Sequence, residues 1–77
     1  MRKGAIHSIL NSTYEQVCKG YLDDVRKRII NMQISIKTGL NLNTYTDESE
    51  DSEDDIKKVL EVIRGPEIGL KDFKYDL

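Results

Sequence analysis

Between Ile30 and Lys37 apolar and polar residues alternate without a break: Ile30, Met32, Ile34 and Ile36 against Asn31, Gln33, Ser35 and Lys37. A period of two belongs to an extended chain with one face buried. After Gly39 the alternation resumes, with Leu40 and Leu42 against Asn41 and Asn43, and Thr44, Tyr45 and Thr46 are good strand formers. Two such runs joined by a glycine-containing turn read as a β-hairpin. A helix is the competing reading, because "IKTGL" also fits a C-cap with Gly39 at C′ and Leu40 at C″. Two arguments favour the hairpin. A helix continued from Ser12 would place Ile30 and Ile34 opposite a Val17–Val25 stripe and expose them. It would also leave residues 39–51 as a thirteen-residue connection without structure, which is uncommon in compact domains.

The helices are marked by spacing and caps. Ile56, Val59, Leu60 and Ile63 recur at i, i+3, i+4 and i+7, one stripe of an amphipathic helix. Ser52 is its N-cap with Asp55 three residues on. Acidic residues fill its first turn, Arg64 lies in its last, and Gly65–Pro66 ends it. An earlier helix is expected over "NSTYEQVCKGYLDDVRKR", with Tyr14, Val17, Cys18, Tyr21, Leu22, Val25 and Ile29 on one face. Ser12 and Glu15 form its capping box, and Arg26, Lys27 and Arg28 suit its C-terminal end. Gly20, inside it, costs roughly 1 kcal/mol relative to Ala.

Two shorter segments complete the order. "DFKYDL" alternates Phe73, Tyr75 and Leu77 against Lys74 and Asp76, a last strand. "GAIHSIL" is a first strand or a helical extension of residues 12–28. Taken as a strand, it gives β-α-β-β-α-β, an α+β, ferredoxin-like two-layer sandwich with two helices on one face of an antiparallel sheet. The alternative is an all-α helical hairpin that pairs into a four-helix dimer. The expected organisation is one small domain over residues 1–77 with an acidic loop at about 47–53.

A chain of 77 residues buries only about 60% of its unfolded surface, so self-association would add to a small core. Residues 1–40 carry seven Lys/Arg and three Asp/Glu, a balance of +4; residues 41–77 carry five and eleven, a balance of −6. Most of the second excess is the run "DESEDSEDD", residues 47–55. The run reads first as a solvated loop that caps the following helix, and second as a dock for a basic protein surface. It lacks the calcium-loop spacing. No apolar run reaches the ~20 residues of a membrane span. The lone cysteine, Cys18, has no intramolecular disulfide partner, so a cytoplasmic, reducing setting is expected.

Chemistry-bearing patterns are sparse. Phosphate-binding, zinc-protease and nucleophile-elbow motifs do not occur. One histidine, His7, and one cysteine cannot make a structural zinc site, and Cys18 on an apolar stripe reads as a buried thiol. Neighbouring carboxylates such as Asp23–Asp24 point about 100° apart on a helix and do not converge. No catalytic residue, metal or cofactor is therefore assigned. Nucleic acid is disfavoured by the acidic balance and by a sheet face with one aromatic.

These readings describe a non-enzymatic interaction or regulatory module that works as a homo-oligomer, most simply a dimer. Its surfaces would be a polar sheet face (Asn31, Gln33, Ser35, Asn41, Asn43, Tyr45), the acidic loop (Glu48, Glu50, Asp51) and the last strand (Phe73, Tyr75). The acidic loop could take a further protein partner. A second reading is a small-ligand sensor that binds anions at Asn11, Ser12 and Thr13, the expected start of the first helix. A third is an all-helical regulator or inhibitor of a partner protein.

Overall fold

The computed structural model describes residues 2–18, 20–73 and 75. Three helices, α1 (Ala5–Val17), α2 (Asp23–Thr38) and α3 (Glu53–Arg64), surround one apolar core. Two residue pairs, β1 (Arg2–Lys3) and β2 (Glu50–Asp51), form a short antiparallel ribbon, with Arg2 opposite Asp51 and Lys3 opposite Glu50. This is neither the βαββαβ sandwich nor the two-helix hairpin that the sequence suggested.

The β-hairpin expected over residues 30–46 is overturned. Ile30 to Thr38 is helical, and its alternation divides between two sides of α2. Ile30 and Ile34, four residues apart, lie on one side and are buried at 5% and 0% exposure; Met32 and Ile36 lie on the other at 57% and 73%. A helix with two apolar faces writes the same period-two string as a strand with one. The connection after α2 is also structured. Gly39 ends the helix at φ +74°, with its N–H bonded to the Ser35 carbonyl at 2.8 Å. The chain then makes a 3-10 turn at Leu42–Thr44, capped by the Asn41 side chain, and Leu42 enters the core. The objection to a long loop fails because this loop packs and bonds internally.

The helix expected over residues 11–28 is two helices. α1 begins at Ala5, so "GAIHSIL" is helical and Ser12 lies in mid-helix without a capping role. Ala5, Ile6, Ile9, Leu10 and Thr13 form its buried face. α1 ends at Val17, where Cys18 is extended at φ −97° and ψ 91°. An Asp23 carboxylate oxygen accepts from the Gly20 N–H at 2.7 Å, which starts the next helix, and the Arg26 guanidinium donates to the Val17 carbonyl at 2.9 Å. Arg26 thus caps the helix before its own. The break resets the helical phase. Tyr14, Val17 and Cys18 stay against the core, while Tyr21, Leu22, Val25 and Ile29 turn outward.

α3 matches its sequence signature. The Ser52 hydroxyl accepts from the Asp55 N–H at 3.2 Å, and Ile56, Val59, Leu60 and Ile63 are buried. The final strand is corrected: Phe73 follows a turn, is buried, receives Arg64 Nε on its carbonyl at 3.1 Å, and stacks on Tyr75 with ring centroids 6.5 Å apart. Leu77, counted in that strand, lies outside the described residues together with Lys74 and Asp76.

One pair of substitutions separates the two readings of α2. Ile34→Ala leaves a cavity among α1, α2 and α3 and is expected to lower stability by about 2–5 kcal/mol. Ile36→Ala removes an exposed side chain and should stay within about 0.5 kcal/mol of wild type. Urea unfolding of both variants checks this, since a strand would place both residues on one face and make the two losses similar.

Candidate functional site

The N-terminus of α1 is where an anion would be expected to bind, because the first backbone N–H groups of a helix have no partner within it. The chain fills that position itself. The Asp51 carboxylate, 1% exposed, accepts the Ile6 N–H at 2.8 Å through Oδ2 and the Ser49 hydroxyl at 2.8 Å through Oδ1. Gly4 makes the approach possible. Its φ is +69°, its N–H bonds the Ser49 carbonyl at 2.7 Å, and a Cβ there would sit 2.6 Å from the Asp47 carbonyl oxygen. Outside this clasp Lys3 and Glu48 form an exposed ion pair at 3.0 Å.

The proposed anion-binding trio lies elsewhere and does not converge. Asn11 is exposed, and its amide meets the His7 ring at 3.2 Å. Ser12 is half-buried in mid-helix. Thr13 is fully buried and donates back to the Ile9 carbonyl at 2.8 Å. His7 and Cys18 are eleven residues apart along α1 and its end, roughly 16 Å of helical rise, so they form no pair. Among the described residues no group of three or more His, Cys, Asp or Glu is arranged to hold a metal ion.

The residues assigned to a polar sheet face are likewise dispersed. Asn31 accepts a hydrogen bond from the Tyr14 hydroxyl and ties α2 to α1. Gln33 and Ser35 are half-buried on α2. Asn41 caps the 3-10 turn, Asn43 is exposed within it, and Tyr45 donates to Asp55 at 3.2 Å. Burial pushes the Tyr14 phenol up against the opposing Asn31 bond; burial and then the Asp55 charge push Tyr45 up. Both phenols are therefore protonated donors at neutral pH. Of the acidic-loop residues, Glu48 and Glu50 are exposed while Asp51 is structural.

What the fold brings together is an apolar surface. Leu22, Val25, Ile29, Met32 and Ile36 are 46–73% exposed and recur at intervals of three and four along α2. This is the spacing of a seam that packs against another helix. Tyr21, 96% exposed, extends it at the N-terminal end. Arg26 and Arg28 flank its first half, Gln33 and Ser35 its second. Beside Ile29 a shallow groove of about 250 Å³ runs between Val17, Arg26, Ile30, Gln33, Glu67 and Ile68. Glu67 is ion-paired with Lys37 at 3.2 Å, and its carboxyl is held below the usual range by a hydrogen bond to its own backbone and by that lysine. The sequence contained this seam, but two interleaved series, 22-25-29-32-36 and 30-34, must be separated to see it.

Comparison with family models, with curated proteins and with solved structures found no match to this chain. Among the described residues no helix is long and apolar enough to cross a membrane.

The clasp gives a stability test. Asp51→Ala leaves the Ile6 N–H without its acceptor, while the Ser49 hydroxyl keeps the Thr46 carbonyl at 2.9 Å, at an expected cost of about 1–3 kcal/mol. Asp51→Asn keeps one carbonyl acceptor and should lose less. Gly4→Ala combines a left-handed backbone with a clash on Asp47 and should cost at least about 1–2 kcal/mol. Thermal and urea denaturation of the three variants measure the order.

Proposed function

We propose that this protein is a non-enzymatic interaction module that works by self-association, and that its contact surface is the exposed side of α2. The observation that carries the reading is the row Leu22, Val25, Ile29, Met32 and Ile36, each about half-exposed or more. Contiguous apolar surface on a small protein marks an interaction site, whereas scattered apolar residues do not. A helix carrying a second apolar stripe opposite its core face has two faces to bury, and this chain covers one of them.

The interaction surfaces assigned from sequence thus move. The polar sheet face has no sheet beneath it, and Asp51 is committed to capping α1. The acidic run keeps exposed charge at Glu48, Glu50, Glu53 and Asp54 as a secondary surface for a basic partner. Two of the three consecutive cations on α2 have intramolecular uses, Arg26 on the Val17 carbonyl and Lys27 over the Tyr14 ring at 5.4 Å, which weakens a phosphate-binding reading. A cytoplasmic setting goes with the single unpaired thiol, Cys18.

The test is sedimentation over a concentration series from below micromolar to about 100 μM, a range that spans dissociation constants on both sides of about 1 μM. Wild type should shift from monomer to a larger species. Ile29→Glu and Met32→Glu should remain monomeric with unchanged helical circular dichroism, because both positions are exposed. A wild type that is monomeric throughout would remove the reading.

A further inference from the structure

The exposed side of α2 is apolar from Leu22 to Ile36, fourteen residues apart, or about 21 Å along the axis. Its flanks are not uniform. The cationic side chains Arg26 and Arg28 border the N-terminal half; the neutral hydrogen-bonding side chains Gln33 and Ser35 border the C-terminal half. A foreign acidic helix would be matched by cations along the whole seam. The observed pattern is instead complementary to itself when one copy is reversed.

We infer that a second copy of this chain docks on α2 in antiparallel orientation, in the register that places Ile29 against the partner's Met32 and Val25 against the partner's Ile36. This rests on the self-association proposed above and adds its geometry. In this register the e-type flanking position Arg26 meets the partner's Gln33, and the g-type position Arg28 meets the partner's Ser35. Arg28 gains an oxygen acceptor, Arg26 keeps its bond to the Val17 carbonyl and faces a neutral amide, and no like charges oppose one another. The helix dipoles also run head to tail, which brings the cations of one N-terminal half toward the negative C-terminal end of the other helix. Parallel pairing does the reverse. It sets Arg26 and Arg28 level with the same two cations and aligns the dipoles. The groove beside Ile29 widens the contact toward Val17 and Ile68, apolar surface beyond the seam itself.

Disulfide trapping reads the orientation. Two chains, each carrying Cys18→Ser, receive Ile29→Cys or Met32→Cys and a distinguishing mass tag, and are mixed and oxidised at about 100 μM. Antiparallel packing gives the unlike product, which joins the Ile29→Cys chain to the Met32→Cys chain, in excess over the share from random pairing. An excess of like products, each variant joined to a second copy of itself, overturns the orientation while leaving self-association standing. Random pairing overturns the register. Absence of any product, together with monomeric sedimentation of the wild type, removes both proposals. An independent readout is Ser35→Glu. The antiparallel register puts the new carboxylate of each chain beside the partner's Arg28, two pairs per dimer, and should tighten dimerisation about 2- to 25-fold, twice the free energy of one exposed ion pair. In parallel pairing these residues are seven positions apart, so an unchanged or weakened dimer counts against the register.

Discussion

Ile30 and Ile34 are the two buried residues of α2, and the arrangement of the molecule turns on how they sit. Four residues apart, they place both side chains on one side of the helix, in the core that α2 shares with α1 and α3. α2 has more contact with α3 than with α1, so this pair closes the three-helix core. Fully burying an isoleucine contributes about 1.5–3 kcal/mol. α2 therefore draws its attachment from a narrow stripe, supplemented by Tyr14–Asn31 and Lys37–Glu67. A narrow inward stripe leaves the opposite side of the helix to be decided by other demands, and here that side is apolar.

The second constraint is the closure at the start of the chain. α1 has no side-chain cap of its own, and Gly4 precedes it in a left-handed conformation. The charge of Asp51 takes the place of a local cap and welds the acidic loop to the helix N-terminus. This explains why an acid can be buried here: its oxygens face a backbone N–H and a hydroxyl, and the adjacent helix terminus favours negative charge. A stretch that reads as a free, solvated loop is in part a structural brace.

Legibility in the sequence followed the range of the forces involved. α3 was readable in full, because cap, dipole charges and apolar stripe are all local and agree: Ser52, Asp55, and Ile56 through Ile63. The break between α1 and α2 was signalled by Gly20 alone and depends on Asp23 and Arg26 folding back onto Gly20 and Val17. The error over residues 30–46 had a physical source. Period-two alternation is diagnostic of a strand only if every apolar residue must be buried, and Met32 and Ile36 are not. Of the candidate surface residues, Gln33 and Ser35 do border the apolar seam, on a helix rather than a sheet. The capping role of Asp51 could not be read locally, since its partner lies 45 residues away in sequence.

That last separation bears on the birth of the protein. Ribosomes add about 5–20 residues per second, so the interval between making Ile6 and making Asp51 is on the order of 2–9 s. Throughout it α1 exists without its cap, and a thirteen-residue helix is marginal on its own in water. The first helix to be synthesised is thus completed by a residue that is added only after every residue of α2. The nascent chain must carry an unfinished amphipathic segment until then.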